Sequence, residues 1–353
     1  MIKNCMMKKY IIRTEISTVS NNMGIIKHAA RLIQKGELVA FPTETVYGLG
    51  ADAFNPNAVK AIFSAKKRPE TDPLIVHIYH ISELKKVAVN IPKIARDLAR
   101  FYWPGPLTLI LEKHPLLPSV VTAGNNTVAV RMPSHMVAQF LIKDSKTPIA
   151  APSANLFSRP SPTLASHVLD DLDGKVSFIL DDGPTDIGIE STILDLTVNP
   201  PCILRPGGLP VEEFQFIIPN LEINKKYIDN KKKSQSSPGQ FFKHYSPKAR
   251  LLLFSGSDSE IIQQIKDETD DLLAKKNKIG ILATDENVDK FKDKEVVLIN
   301  LGSIKKLETI AKNLFASMRE LDSQNVDYIL MQMPPENGIG RALQDRLVRA
   351  AYR

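Results

Sequence analysis

The chain has 353 residues, of which 43% are hydrophobic and 24% are charged, and its formal net charge is +7. This composition excludes a disordered or fibrous chain, the length favours two domains, and the positive charge favours anionic partners such as nucleotides, RNA or acidic lipid. Two cysteines exclude a disulfide framework and a cysteine-based zinc site, and they indicate a reducing compartment. The sequence has no secretory signal and no apolar window of about 18 residues, so we expect a cytoplasmic protein without a membrane span.

Apolar periodicity predicts alternating helices and strands over residues 20–220. A helix is expected from Asn21 to Gln34 with Gly36 as its stop, the strand ELVAF follows, and Asn55 and Pro56 provide the N-cap and first turn of the next helix. Further strands are expected at PLIVHIY, LTLIL, TVAVRM, TPIAAPSAN, SFILDD, STILDL and CILRPGG, and further helices at residues 93–102, 135–143 and 165–172. These elements predict one α/β domain built on a mixed sheet.

A second domain is expected after a linker. Residues 221–248 are assigned to the linker because the segment from Asn224 to Pro247 lacks apolar periodicity and is rich in Lys, Ser, Pro and Gly. Residues 249–353 contain the apolar runs ARLLLFSG, KIGILAT, EVVLIN and VDYILMQM, separated by helical patterns such as EIIQQIKDETDDLLAKK and LETIAKNLFASMREL. Strand alternating with helix at this spacing predicts a smaller, doubly wound and largely parallel sheet.

Polar residues collect at the ends of the predicted strands of the first domain. They lie in the segments PTETVYGLG, KKRPETD, SAN, GPTDIGIE and RPGG, and Arg131 lies inside the apolar strand TVAVRM. In open α/β sheets, ligands bind in the crevice at the carboxyl ends of the strands. The pattern therefore predicts one polar site to which several strands contribute.

Each of these signals also has a purely structural explanation. Thr43, Thr45 and Tyr47 can cap a turn, and the cations in the run from Lys66 to Pro69 are typical of a solvated helix C-terminus. Arg131 is different, since an arginine in an apolar strand must find an anion or a carbonyl group. We therefore interpret Arg131 as a candidate for binding a carboxylate or a phosphate.

The motifs of the common nucleotide, hydrolase and metal sites are absent from the sequence. There is no G-x-x-x-x-G-K-[ST], no G-x-G-x-x-G between a strand and a helix, and no nucleophile elbow. His77, His114, His135 and His167 are not at metal-ligand spacing, so no metal-binding residue is predicted. The expected chemistry is the positioning of substrates and the neutralisation of charge.

Seven segments, taken in order, resemble the YrdC domain of the threonylcarbamoyl-AMP synthases over roughly residues 20–215. They are PTETVYGLGADA, KKRPETDPLIVH, WPGPLTLIL, TVAVRMPSH, APSAN, GPTDIGIESTILDL and ILRPGG. SPGQFFKHYSP resembles the linker, and GIGRALQDRLVRAA the C-terminal domain, of the two-domain members. The chain departs from the family at Phe157 and Ser158, where Ser-Gly is usual, and at Gln240 and Phe241, where Met and a basic residue are usual.

The resemblance implies a YrdC-like mixed sheet with helices in the first domain and a Rossmann-like C-terminal domain. It also implies an enzyme, a nucleotidyltransferase that forms threonylcarbamoyl-AMP and pyrophosphate from L-threonine, bicarbonate and ATP, with Mg²⁺. Other proteins then transfer the threonylcarbamoyl group to adenosine in tRNA. The implied partners are therefore these substrates, the downstream transferase machinery and tRNA itself, with no membrane.

The resemblance further assigns roles to individual residues. Lys66 and Arg68 are expected to be catalytic. The residues expected to bind ATP are Arg68, Asp72, Thr127, Ser153, Thr163, Arg205 and Tyr245. The residues expected to bind threonine are Thr45, His77, Arg131, Asn155 and Ser191.

A mechanism follows from these roles. Arg131 is expected to clamp the carboxylate of threonine in a bidentate pair, while hydroxyl and amide groups recognise the rest of the substrate. Lys66, Arg68 and Arg205, together with Mg²⁺, are expected to neutralise the charge of phosphoryl transfer. The sequence identifies no general base for the amine.

Access to the cavity is expected to depend on two segments. PTETVYGLG is expected to end a strand at the cavity mouth, with its hydroxyls facing a small polar substrate and with Gly48 and Gly50 allowing the backbone to approach the ligand. The linker is expected to fold over that mouth as a lid, with Pro238, Gly239, His244 and Tyr245.

Two other functions compete with this interpretation. The basic charge and the runs KKYIIR and NKKYIDNKKK favour a non-catalytic module that binds double-stranded RNA or tRNA, although no aromatic pair of the RRM type is present. A carbamoyl transferase of related fold, such as a hydrogenase maturation factor, is disfavoured because acylphosphatase and zinc-finger segments are absent. The C-terminal domain lacks a glycine fingerprint, so its expected role is to scaffold the linker.

Overall fold

Two β-sheets organise the protein, of which the computed structural model describes residues 14–19, 22–224 and 243–352. The larger sheet contains β1 (Glu15–Thr18), β2 (Val39–Phe41), β3 (Gly48–Asp52), β4 (Ile75–His77), β5 (Leu107–Glu112), β6 (Thr127–Arg131), β7 (Ile149–Ala150), β8 (Phe178–Asp181), β9 (Thr192–Asp195), β10 (Cys202–Arg205) and β11 (Glu222–Ile223). Their order is β1-β8-β2-β3-β7-β4-β6-β5-β9-β10-β11, and parallel and antiparallel pairs both occur. The prediction of a mixed α/β sheet is confirmed.

Helices connect many of these strands, and Asn55 and Gly36 lie at helix ends as predicted, whereas the N-cap of the first helix is Asn22. They are α1 (Met23–Gln34), α2 (Pro56–Lys66), α3 (Leu84–Val87), α4 (Lys93–Tyr102), α5 (Met136–Ser145) and α6 (Ala165–Leu172). The side chain of Asn22 accepts a hydrogen bond from the backbone N–H of Gly24, and that of Asn55 caps α2 in the same way. Gly36, the predicted stop of the first helix, has a φ of 82°.

The segment GLGAD forms strand β3, which was not predicted from the sequence. It pairs antiparallel with β2 on one side and with β7 on the other. A Cβ on Gly50 would lie 2.8 Å from Cε1 of Phe41 and 2.9 Å from Cγ2 of Ile149. The expectation that Gly50 brings backbone close to a ligand is therefore wrong: its missing side chain makes room for the Phe41 ring inside the sheet.

The smaller sheet follows the predicted alternation of strands and helices. Its strands are β12 (Arg250–Phe254), β13 (Ile279–Ala283), β14 (Val297–Asn300) and β15 (Tyr328–Gln332), and its helices are α7 (Asp258–Ala274), α8 (Leu307–Ser323) and α9 (Gly340–Ala351). The strand order is β12-β15-β13-β14 and every pair is parallel. The prediction of a doubly wound parallel sheet is confirmed.

The two sheets share buried contacts through α8. One apolar cluster contains Val46 and Ile189 from the part of the chain that forms the larger sheet, together with Leu314 and Phe315 of α8. Gly188 has a φ of 82°, and a Cβ there would lie 2.4 Å from the carbonyl oxygen of Ala311. Helix α8 therefore packs directly against the loop that leads into β9.

The division into residues 20–220, 221–248 and 249–353 stays a prediction. Part of the predicted linker lies outside the described residues, including Pro238, Gly239, Gln240 and Phe241. None of the helices in the described part of the chain is long and apolar enough to cross a membrane.

Candidate active site

A cavity of about 50 Å³ opens where strands of the larger sheet end. It is lined by Thr43, Thr45, Val46, Gly48, Arg68, Ile75, His77, Arg131, Ala151, Pro152, Ser153, Glu190, Ser191, Arg205, His244 and Tyr245. The predicted site residues that reach this wall are Thr45, Arg68, His77, Arg131, Ser153, Ser191, Arg205 and Tyr245. Segments far apart in sequence therefore contribute to one polar space.

Arg131, at the end of β6, is buried and contacts groups in two neighbouring loops. Its Nη1 donates to Oγ1 of Thr45 at 2.8 Å, its Nη2 lies 2.6 Å from Oε1 of Glu44, and its Nε donates to the carbonyl of Gly105 at 3.3 Å. Burial, followed by the charge of Arg131, lowers the pKa of His77 to about 3, so the His77 ring is neutral at neutral pH. The wall here is cationic and rigidly held.

The segment PTETVYGLG contains residues that cap a turn and residues that face the cavity. Oγ1 of Thr43 donates to the carbonyl of Val46 at 2.7 Å and accepts from the N–H of Thr45 and of Val46, both at 3.2 Å. Tyr47 donates to the carbonyl of Gly183 at 2.7 Å, and its pKa is raised by burial and then by Asp181. The turn-capping explanation therefore holds for Thr43, and Tyr47 fastens the neighbouring loop, while Thr45 faces Arg131.

Lys66, the last residue of α2, and Arg68 are buried, whereas Lys67 between them is exposed, so the interpretation as a solvated helix end is wrong for Lys66 and Arg68 and holds for Lys67. Lys66 is 1% exposed, and its ammonium donates to the backbone carbonyls of Ser153 and, at 2.6 Å, Asn155. Burial, followed by the charge of Arg68, lowers the pKa of Lys66 well below its usual value. Arg68 lies in the wall and pairs with Asp72 at 2.8 Å, so Lys66 and Asp72 both stand behind the lining residues.

The Ser-x-Asn turn is held by its own hydrogen bonds. Oγ of Ser153 lies 2.5 Å from Oδ1 of Asn155, and Nδ2 of Asn155 donates to the carbonyls of Leu156 at 2.7 Å and Arg159 at 3.0 Å. Ser158, where the family usually has Gly, has a φ of 69°, in the left-handed region that favours glycine. Asn155 therefore organises the loop, while Ser153 reaches the cavity.

Arg205 and Ser191 form another part of the wall. Nη2 of Arg205 donates to the carbonyl and the hydroxyl of Ser191 at 2.9 and 3.2 Å, and that hydroxyl also lies 2.8 Å from Oγ1 of Thr108. A Cβ on Gly207 would lie 2.3 Å from the carbonyl carbon of Ser191. The RPGG turn therefore needs glycine to lie against the end of β9.

Thr127 and Thr163 are not among the residues that line the cavity. Thr127 begins β6 opposite Glu112 and shares the sheet face of Arg131, four residues away along the strand. Thr163 is buried, where its N–H donates to Nδ1 of His167 at 3.3 Å and its carbonyl accepts from the N–H of Thr185 at 3.1 Å. Their predicted contact with ATP stays a prediction.

Tyr245 and His244 line the cavity from the side of the smaller sheet. The Tyr245 ring stacks on Phe315 at 5.5 Å between centroids, and burial is the first cause that raises its pKa to about 12. Among the described residues, neither Oη of Tyr245 nor Nδ1 of His244 has a hydrogen-bond partner. Two buried polar atoms in the cavity wall are thus left for a ligand to satisfy.

The sequence analysis missed two carboxylates that tune this wall. Glu44 pairs with Arg131, and Glu190 accepts from Oγ of Ser161 at 2.5 Å and from Nε of Arg346 at 2.7 Å. Both lie inside segments that were singled out, but their partners are distant in sequence. A glutamate next to a predicted site residue was the signal in the sequence that could have identified each of them.

Comparison with known proteins gives the chain's relatives. The family model described as "Telomere recombination" (Sua5_yciO_yrdC) matches residues 31–207, and the one described as "Threonylcarbamoyl-AMP synthase, C-terminal domain" matches residues 210–352. Threonylcarbamoyl-AMP synthases of Pyrococcus abyssi and Bacillus subtilis are 44% and 43% identical, covering 92% and 94% of this chain and 94% of each relative. A shorter relative from Mycobacterium tuberculosis is 38% identical over 55% of this chain and 89% of its own.

A solved structure has the same fold. The crystal structure of P. abyssi Sua5 complexed with L-threonine superimposes with a TM-score of 0.90 at 42% identity. The match covers 96% of this chain and 97% of the other, so it includes both sheets.

Proposed function

Because the chain belongs to the threonylcarbamoyl-AMP synthase family, we propose that its cavity is where L-threonine, bicarbonate and ATP react to give threonylcarbamoyl-AMP and pyrophosphate. Family membership favours an enzyme over a non-catalytic RNA-binding module and over other carbamoyl transferases. The observation that carries the proposal is the presence of Arg68, Arg131 and Arg205 on one cavity wall. Three guanidinium groups around one space suit a substrate pair bearing a carboxylate and a triphosphate.

Threonine is assigned to the wall around Arg131. Glu44 is not a lining residue, so it holds the guanidinium from inside the wall, while Thr45 and Ser191 offer hydroxyl groups to the cavity. A site that hydrogen-bonds a substrate hydroxyl rejects the analogue that lacks it by up to about ten-thousand-fold. This arrangement supports selection of threonine over valine.

The nucleotide is assigned to the wall around Arg68, Ser153, Arg205 and Tyr245. An oxygen of the threonine carbamate forms a bond to the α-phosphorus of ATP while the bond from that phosphorus to the bridging oxygen of pyrophosphate breaks. Arg68 and Arg205 neutralise the charge that spreads over the phosphoryl oxygens. Lys66 acts on this step through the carbonyls of Ser153 and Asn155, which it holds in place.

Water exclusion is the remaining task of the cavity. A carbamate of threonine loses carbon dioxide readily in water, so the reaction needs a site from which water is kept out. Tyr245 and His244 are both buried in the wall and bring the end of the predicted linker to the cavity. The proposal that the linker acts as a lid rests on these two residues.

Mg²⁺ belongs to the proposal as part of the substrate, because ATP carries the ion on its phosphates. The part of the chain that the structure describes has no group of three or more His, Cys, Asp or Glu side chains that could hold a metal ion. Glu190 is the one carboxylate among the described lining residues, and both of its oxygens are used by Ser161 and Arg346. The described residues therefore do not fit a resident Mg²⁺ ion.

Downstream partners and location complete the proposal. Threonylcarbamoyl-AMP is a reactive mixed anhydride, so a transferase that modifies adenosine in tRNA must consume it, and direct contact with tRNA is part of the proposal. The cytoplasmic location, inferred from the two cysteines, is likewise proposed.

Release of pyrophosphate from ATP tests the proposed function. Purified protein is expected to release pyrophosphate only when threonine and bicarbonate are both present. Serine and valine serve as matched substrate controls and should support much slower release. Pyrophosphate release that does not respond to threonine or bicarbonate would contradict the assignment.

A further inference from the structure

Four charged side chains form a buried cluster between the cavity and the C-terminal helix α9. Nε of Arg346 donates to Oε2 of Glu190 at 2.7 Å, its Nη1 donates to Asp345, and Nε of Arg349 donates to Asp345 at 2.9 Å. The Arg346 side chain is 0% exposed. Two cations and two anions balance, so the cluster as a whole is neutral.

Glu190 connects this cluster to the cavity. It lines the same space as Arg68, Arg131 and Arg205, in a site that we assign to a highly anionic nucleotide. Burial alone would raise the pKa of Glu190, but the charges of Arg346 and then Arg205 outweigh burial and lower it. Glu190 is therefore ionised, and its charge must be neutralised if it is not to repel phosphate.

Arg346 also supports the aromatic part of the wall. The centre of its guanidinium lies 5.2 Å from the centroid of the Tyr245 ring, which also stacks on Phe315. Tyr245 lines the cavity and its hydroxyl has no partner among the described residues. One buried arginine thus touches both the carboxylate and the phenol of the cavity wall.

We propose that Arg346 is a positioning residue for the nucleotide, and that the C-terminal domain completes the ATP pocket by neutralising Glu190. This inference rests on the proposed function, because it takes ATP as the ligand of the cavity. It gives the C-terminal domain a role in the chemistry beyond scaffolding the linker.

Equilibrium binding of ATP, measured by calorimetry on the full chain, tests the proposal. Arg346→Met leaves Glu190 as an unpaired carboxylate and should weaken ATP binding about tenfold. Arg341→Met is the matched control, since Arg341 lies on the same helix and pairs with the exposed Glu336. ATP binding by this control should stay within about twofold of the wild type.

The double variant Arg346→Met with Glu190→Gln separates charge from structure. It removes one cation and one anion and leaves the pair of Asp345 and Arg349, so the cluster stays neutral and ATP binding should return to within about threefold of the wild type. In steady-state assays, Arg346→Met should raise the KM for ATP more than it lowers kcat. An unchanged affinity in Arg346→Met, or a loss that Glu190→Gln does not restore, would overturn the proposal.

Two further measurements keep the result interpretable. If Arg346→Met does not fold, Arg346→Lys and the double variant take its place, and both should bind ATP within about threefold of the wild type; a tenfold loss in either would contradict the charge argument. Binding is measured without threonine. A wild-type protein that binds ATP but makes no product would therefore refute the proposed function and leave the role of Arg346 testable.

Discussion

The wall around Arg131 and the wall around Glu190 are built in different ways. Arg131 takes its partners, Glu44 and Thr45, from the loop that joins β2 to β3 of the same sheet. Glu190 takes its ion-pair partner, Arg346, from the C-terminal helix. The half of the cavity assigned to threonine is therefore complete within the larger sheet, whereas the half assigned to ATP depends on the smaller one. Substitutions in one half of the cavity should therefore affect the binding of one substrate more than that of the other.

The largest effect is expected for Arg131→Met. The change removes the proposed carboxylate clamp and leaves Glu44 buried without its partner, so kcat/KM for threonine should fall by about a thousandfold, or roughly 4 kcal/mol. Steady-state pyrophosphate release at varied threonine measures it. Arg100→Met, an arginine whose side chain is 76% exposed, is the control. If Arg131→Met weakened ATP binding as much as threonine binding, the claim that the two halves of the cavity bind different substrates would be contradicted.

The next effect is expected for Arg68→Ala. Its guanidinium lies in the cavity wall and is proposed to neutralise transferring phosphoryl oxygens, so kcat should fall about a hundredfold, close to 3 kcal/mol. Lys60→Ala, an exposed position on helix α2, serves as the control. Threonine-dependent turnover near the wild-type rate would show that Arg68 has no part in the transfer.

A smaller effect is expected for Gly188→Ala, which acts on the contact between the two sheets. The new Cβ would collide with the backbone of α8, so the free energy of unfolding should fall by about 2 kcal/mol and ATP binding should weaken. Gly183→Ala is closely matched: its φ is 77° but no atom lies within 4 Å of the new Cβ, so it should cost only about 1 kcal/mol. Urea unfolding measures both, and equal losses would refute the packing argument.

The smallest effect is expected for Ser158→Gly. Ser158 adopts a left-handed φ of 69°, and glycine relieves that strain at some cost in chain entropy, so unfolding should become harder by about 0.5 kcal/mol. Thermal unfolding with Ser166→Gly as a control, at a helical position, should show the opposite sign. Destabilisation by Ser158→Gly would indicate that the loop needs its serine.

The sequence predicted helices and strands where the apolar periodicity was strong. It did not predict the glycine-containing strand β3 or the short edge strand β1. Helices 93–102 and 165–172 begin and end at the predicted residues, because their apolar spacing is regular. Strand β3 was missed because GLGAD contains glycines, which have low strand propensity. Glycine is needed there because a Cβ on Gly50 would collide with the Phe41 ring. Strand β1 was missed because it is a short edge strand with exposed residues.

The sequence predicted many of the residues that line the site, but it did not predict which residues those side chains contact. Motif order placed Arg68, Arg131 and Arg205 near one another, but the burial of Lys66 depends on carbonyls 87 and 89 residues away. The pair of Arg346 and Glu190 spans 156 residues and two sheets. Such pairs are set by tertiary packing, and no local pattern in the sequence encodes them.

Mass-spectrometric detection of the product, with purified protein, ATP, threonine and ¹³C-labelled bicarbonate, tests the central claim most directly. We expect threonylcarbamoyl-AMP that carries a single ¹³C atom in its carbamoyl group, with an equal amount of pyrophosphate. Wild-type protein that consumes ATP but yields only AMP or unlabelled adducts would contradict the account.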